Sequence, residues 1–493
     1  VTTSKVVLAL AATLLLPTIA ACTQSGTSKD GADRTLRIAT INYGPDDSYF
    51  RQQFTEVFEY ANPNIKIEIV SPVDSGRYMY APMQPGQKQE DPMEKMKEMM
   101  QGANPPDIVV VDYSQIGDLI DNNMLAPLDN RMTKDKFNTA DIVPAVLDGI
   151  KALGNGAVYA LAPTFSSSAL IYNKKLFLDA GVSFPQDNMT WDETFDLARR
   201  VTKPDADNPR YGFNFYSSAG GDLFYGSQMY TQALQLNFID DAGEKLTVDT
   251  DSWEKAWTTL IQLSKDHVMP PPPDYSKMNK MQSSDSYNPF MNDDFLSGRL
   301  AMTIMDYSQL SQIYNANKNA ETIKGFTPID WDVVTVPSDP AAKGTSTGVY
   351  LSGLMGINAK AGNAEDAWKF IRFVNGDDWA RLRANSMSQL VSRKSFNKPK
   401  FGDFHLEAFT NVKPIATNNP LSKLGRDKPY VYQTQGIGQN EMQQALQGNK
   451  GVREALKAWQ TQGDAMLLQL KNDPNAQMNG MMGGGTAIAV PAG

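Results

Sequence analysis

Apolar positions along the chain change period repeatedly. Leu36–Ile41 (LRIATI) reads as a short strand, and Phe54, Val57 and Phe58 recur at helical spacing within Phe50–Ala61. Pro63-Asn64 ends that helix, and Ile65–Val70 alternates apolar with polar as a strand does. The three together predict a β-α-β unit, hence a parallel sheet with right-handed crossovers. Pro92–Gln101 places Met93, Met96 and Met100 on one helical face, which predicts gap-filling core. Ile108–Val111 is an unbroken apolar run, as in a strand buried on both faces, with Asp112 and Tyr113 at its carboxyl end.

Val158–Tyr172 is a second dense apolar region, followed by a helix that stops at Ala180-Gly181, where Gly suits a C-cap. Thr190 with Glu193 three residues on predicts a capped helix start, with Trp191 as a packing residue. Strands are expected over Trp331–Pro337 and Tyr350–Asn358, and helices over Ala364–Val374 and within Gly448–Gln469. Tyr211–Tyr230 holds seven aromatics in twenty residues, interleaved with Gly and Ser. Flat rings on adaptable backbone suit a ligand cleft, and a strand followed by a structural loop is the other reading of this segment. Ligands of open α/β sheets bind where the carboxyl ends of strands converge, so Asp112 and Tyr113 are candidates. Capping the next helix is the other role open to Asp112.

The 493 residues suffice for two to four compact units. With 46 Lys plus Arg against 55 Asp plus Glu, the net charge is -9, a poor basis for nucleic-acid binding. Two His and one Cys argue against zinc sites, haem ligation and Cys–His or Ser–His catalysis, so neither metal nor cofactor is expected. Gly344–Gly348 matches G-x-S-x-G, but a Pro-rich loop precedes it and a strand follows, not the strand–turn–helix of a nucleophile elbow. Two placed carboxylates could still hydrolyse a glycoside, and the acids are numerous.

Residues 1–21 have the make-up of a secretory signal: Lys5, then an apolar run over Val6–Leu16 that is too short to span a bilayer. Ile19-Ala20-Ala21-Cys22 is similar to a bacterial lipobox, which makes Cys22 the expected lipidation site for palmitate-like acyl chains. Two or more such chains anchor stably. Residues 22–34 read as a flexible tether and 473–493 as a disordered tail.

Three blocks together resemble the family 1 extracellular solute-binding proteins of ABC importers, the group that includes maltose-binding protein. Ala162–Phe177 (APTFSSSALIYNKKLF) is similar to the family signature, small residues leading to an apolar pair, Tyr-Asn, Lys and an apolar position; Pro163 departs from it. Phe295-x-x-Gly298-Arg299-x-Ala301-Met302 resembles the family's Phe-x-x-Gly-x-x-Ala-Met block. Gly348–Val374 resembles its Gly-rich strand, Ile-Asn and following helix. In this order the blocks cover nearly all of residues 35–470.

The resemblance implies a type II periplasmic-binding-protein-like α/β fold, two discontinuous lobes joined by a hinge with a ligand cleft between them. Lobe one would be 35–165 and 338–390, lobe two 166–337 and 391–472. The crossings would fall near Thr164–Ser168, Pro337–Lys343 and Gln389–Arg393. Family members commonly bind oligosaccharides and pass them to permease subunits. On that basis the cleft would use Tyr43, Asp112, Tyr113 and Tyr350 from lobe one, and Phe165 and Ser166 at the first crossing. Tyr216, Tyr225, Asp306 and Tyr307 would come from lobe two. Rings would stack on sugar C–H faces, and Asp112 and Asp306 would accept hydroxyl hydrogen bonds. A monomer held by lipid on Cys22 at the outer face of the bacterial cell membrane is implied, with no catalytic residue. A secreted carbohydrate-active enzyme and a binding protein for a non-sugar ligand are the alternatives. Moving lobes would also let the seven Trp report ligand by fluorescence.

Overall fold

A computed structural model describes residues 33–41, 46–74, 90–205, 208–218, 222–271, 289–290, 292–351, 353–414, 424 and 428–472. The signal segment, Cys22, most of the tether, Tyr43 and the tail lie outside the described residues.

The first sheet takes β1 (Arg34–Thr40), β2 (Ile65–Val70), β3 (Ile108–Val111), β4 (Leu125–Ala126), β5 (Ala160–Leu161) and the returning β12 (Leu354–Asn358). Its order is β2-β1-β3-β12-β4, with β5 also on β12. β1 runs parallel to β2 and to β3, as the β-α-β pattern predicts, while β12 is antiparallel to β3. All four residues of β3 are buried. Arg34, read as tether, instead opens β1: its N–H donates to Asn64 O at 2.9 Å and its guanidinium pairs with Asp366 at 2.7 Å.

The second sheet is built around β6 (Thr164–Asn173) with β7 (Tyr211–Asn214), β8 (Leu300–Asp306), β9 (Trp331–Thr335), β11 (Val349–Tyr350) and β13 (Leu390–Val391). β10 (Thr345–Ser346) and β14 (Lys413–Pro414) form a small pair of their own. β6 is the long member because it serves several partners in turn. Thr164 and Phe165 pair with β13, Ser166 and Ser167 with β11, and the rest with β8 and β9.

Apolar side chains form three core clusters. One joins the first sheet to the base of β6 and to residues around Phe295–Ala316. A second lies under the far half of β6, against the helices Trp191–Val201 and Leu223–Ala233. A third packs the helices Asp251–Lys265, Thr434–Leu446 and Val452–Asn472 together, where Trp257 stacks on Trp459 at 5.5 Å. Met93, Met96 and Met100 are fully buried. Trp191 lies among Phe195, Phe213, Phe215 and Tyr230.

Residues 390–393 lie against both sheets: Leu390 and Val391 pair with Phe165 and Thr164 of β6. Ser392 N–H donates to Pro163 O, and its own carbonyl accepts from Val143 N–H. Buried Arg393 donates to Asn375 O and Asn138 O and lies over the Phe137 ring. These partners all belong with the first sheet. Phe404 packs on Trp331 and His405 N–H donates to Asp332, both on β9. A charged arginine desolvated against backbone carbonyls holds the earlier stretch in place.

Candidate functional site

Side chains alternate across a strand, and directly opposed residues of an antiparallel pair share a face. Ser166 and Ser168 of β6 therefore point the same way. Tyr350 stands opposite Ser166, and Asp306 stands opposite Ser168. Ser168 N–H donates to Gly348 O at 2.9 Å on the β11 side. Gly348, Ser168 and Asp306 thus form one row across three strands, and Tyr350 with Ser166 begins the next. This face is open: Ser166, Ser168, Gly348 and Asp306 are part-exposed and Tyr350 is 52% exposed.

Asp112 joins the row from the first sheet. Burial, then the charge and hydrogen bonding of Asp112, push the Tyr350 hydroxyl up to about 12. Asp112 is also the N-cap residue of the helix Tyr113–Asp121, and its N–H donates to the Gln115 side chain at 2.9 Å. The cap and the cleft position coincide. Asp306 is built alike: its carboxylate accepts Ser308 N–H at 2.9 Å while its own N–H donates to Gln309 Oε1 at 2.8 Å. The Asp306 carboxylate is thus oriented by a helical turn, and both acids start such a turn at a strand's carboxyl end. The assembled floor offers two serine hydroxyls, a phenol and two carboxylates, suited to a hydroxyl-rich guest.

The same alternation removes two expected residues from the site. Phe165, between Thr164 and Ser166, points to the opposite face and is 1% exposed beside Leu390. Tyr307 follows Asp306 and is turned inward at 1% exposure, against Phe401 and Phe409. Burial pushes its hydroxyl up to about 12. Tyr113 is part-buried and donates its hydroxyl to Gly149 O at 3.1 Å, so it braces two elements of the first lobe. Its hydroxyl is likewise raised to about 12 by burial.

The aromatic segment Tyr211–Tyr230 is mainly core. Phe213, Phe215, Phe224 and Tyr230 are buried, because β7 and the helix Leu223–Ala233 each turn a face inward. Tyr216 is half-buried against that core and its hydroxyl is raised by burial. Tyr225 is 45% exposed, touching Phe224 edge-on at 5.5 Å. No ring contact or hydrogen bond among the described residues ties Tyr216 or Tyr225 to the floor. Ser168 and Gly348 complete the floor although neither is among the residues expected from the sequence. The i, i+2 spacing of Ser166 and Ser168 within one strand was the available signal.

The bacterial extracellular solute-binding protein profile matches residues 42–381. The chain belongs to this family. A binding protein of Brucella abortus (strain 2308) is 23% identical over 88% of this chain and 93% of its own length. The maltooligosaccharide ABC transporter solute-binding lipoprotein of Streptococcus pneumoniae (strain ATCC BAA-255 / R6) is 21% identical over 67% of this chain and 71% of its own. Among solved structures, a family 1 extracellular solute-binding protein from Alicyclobacillus acidocaldarius covers 88% of this chain and 99% of that one. Its TM-score is 0.58 at 16% identity. The α/β architecture of this solute-binding protein is accordingly the two-lobe, type II periplasmic-binding-protein-like fold. No helix among its described residues is long and apolar enough to cross a membrane.

Proposed function

We propose that this solute-binding protein captures an uncharged carbohydrate, in particular an oligosaccharide, and hands it unaltered to the permease subunits of an ABC importer. The observation that carries the reading is the floor of Ser166, Ser168, Tyr350, Asp306 and Asp112 on and beside one hinge strand. Hydroxyls and carboxylates in that density pair with sugar hydroxyls, and a half-exposed ring offers a stacking face. The maltooligosaccharide protein of Streptococcus pneumoniae supports the same class of guest. Lobe one would comprise 34–163 and 351–397, lobe two 168–338 and 401–472, with the guest favouring closure through contacts to both. Tyr216 and Tyr225 would meet the guest from lobe two on closure, and Tyr43 from lobe one.

Cys22 would carry the lipid that keeps the monomer on the outer face of the cell membrane. Replacing Cys22 by Ala should move the protein from the membrane fraction to the medium in the native host.

Calorimetry with maltose, maltotriose, cellobiose, trehalose and raffinose tests the guest class. Saturable binding with recovery of intact saccharide supports it. Cleaved product at catalytic protein concentrations would replace it with an enzyme, and silence across the panel would overturn it.

A further inference from the structure

We propose that Gly348 and Ser168 are specificity-determining residues, which set the depth of a subsite for one neutral sugar ring on the hinge. The inference rests on the carbohydrate reading above and adds where one ring sits and what limits its size.

Gly348 lies against Ser168 so closely that no side chain fits. A Cβ at Gly348 would stand 2.9 Å from Ser168 Cβ and 3.2 Å from Ser346 Oγ. The backbone of the β11 segment is therefore laid bare beside Ser168, and Ser168 contributes only a hydroxymethyl group. Taller walls bound the patch. Tyr350 rises two residues along on one side, and Asp306 stands across from Ser168 on the other. Neighbouring strands are about 4.8 Å apart and same-face residues about 7 Å apart, so three strands and two rows make a shelf of roughly 10 by 7 Å. One pyranose ring with its hydroxyls covers such an area.

The chemistry of the shelf is one-sided. Ser166 and Ser168 can donate or accept, and Asp306 keeps one oxygen free of its Ser308 N–H. No Lys or Arg among the described residues pairs with Asp112 or Asp306. Among the described residues an anionic ring would meet carboxylates that carry no paired cation, whereas a neutral ring would have acceptors for its hydroxyl protons.

The test measures Kd for the tightest-binding saccharide of the panel above, with wild type, Ser168→Ala, Ser168→Thr and Ser168→Leu. Ser168 is part-exposed, so the larger side chains enter the shelf rather than the core. Ser168→Leu should weaken binding about 30-fold or more, Ser168→Thr by an intermediate factor, and Ser168→Ala least. Thermal melting should stay near wild type. Should the Leu variant misfold, the Thr variant and Ser166→Val, in the adjoining row, carry the same graded loss. Wild-type binding with all these variants within about threefold would overturn the shelf while leaving the carbohydrate reading intact. A wild type that binds no panel sugar would overturn both.

Discussion

Tyr350 stands opposite Ser166 across the β6–β11 pair, and its hydroxyl lies under the charge of Asp112 on the first sheet. Tyr113 N–H donates to Leu351 O at 3.2 Å, which brings the carboxyl end of β3 beside Tyr350. Removing only the hydroxyl, in Tyr350→Phe, should weaken saccharide binding by about 3- to 10-fold, the scale of one hydrogen bond. Tyr350→Ala also removes the stacking face and should cost more, about 30-fold. Calorimetry on both variants checks this, and an Ala variant as tight as wild type would rule out a ring contact.

Alkaline pH should unfold the protein through its buried phenols. Burial alone pushes Tyr113 and Tyr307 up to about 12. Tyr172 reaches the same value through burial and then the charges of Asp332, Asp330 and Asp187, and Tyr230 through burial and then Asp192 and Asp339. The folded pKa lies above the ordinary 10.0, so the neutral form is the one folding favours. That stabilisation is complete below about pH 10 and is lost as pH rises towards 12, on the order of 2 kcal/mol for each of the buried Tyr172, Tyr230 and Tyr307. Tyr350 is half exposed and adds little. Melts across this range, run beside a tyrosinate absorbance titration, should fall steeply between those limits. A flat melting temperature would show that these hydroxyls are solvated.

Residue type was legible in the sequence where position was local, and misleading where parity decided. The β-α-β opening, the unbroken Ile108–Val111 strand and the Thr190 cap follow from short-range pattern, and the structure has them. Phe165 and Tyr307 have the right chemistry for a cleft but the wrong parity. Each is adjacent to a residue on the open face, so alternation sends it to the core. The aromatic run after Tyr211 misled for a related reason, since core packing and guest stacking use the same rings. The Tyr350–Asp112 encounter joins positions far apart in the chain, which no local pattern carries. The hold on Arg393 by carbonyls at Asn138 and Asn375 is again a long-range fact.

Two helical glycines should respond to alanine with opposite signs. Alanine normally stabilises a helix interior over glycine by about 0.5–1 kcal/mol. At Gly117, in the helix Tyr113–Asp121, a Cβ meets nothing within 4 Å, so Gly117→Ala should raise stability by that amount. At Gly149, in the helix Pro144–Leu153, the same Cβ would stand 2.5 Å from Pro414 Cγ. Gly149→Ala should therefore lower stability by about 1–3 kcal/mol despite the better propensity. It should also loosen Tyr113, whose hydroxyl donates to the Gly149 carbonyl. Urea denaturation of the two variants side by side checks the difference in sign. Two stabilised variants would mean that Pro414 does not press on this helix.

Fluorescence, which the count of seven tryptophans recommends as a reporter, should answer weakly in the natural protein. Trp191, Trp253, Trp257, Trp331, Trp368, Trp379 and Trp459 are all buried at 7% exposure or less. None stands on the open face of β6, so a guest seated there touches no indole. Lobe closure would change their surroundings only through the cores that already enclose them. Moving an indole to the floor restores the signal: Tyr350→Trp keeps a flat ring opposite Ser166 and places it where a sugar would displace water. Titration with a bound saccharide should then shift its emission maximum to the blue, while the natural protein shifts far less. An equal response from both proteins would place an indole against the guest and move the binding face away from β6.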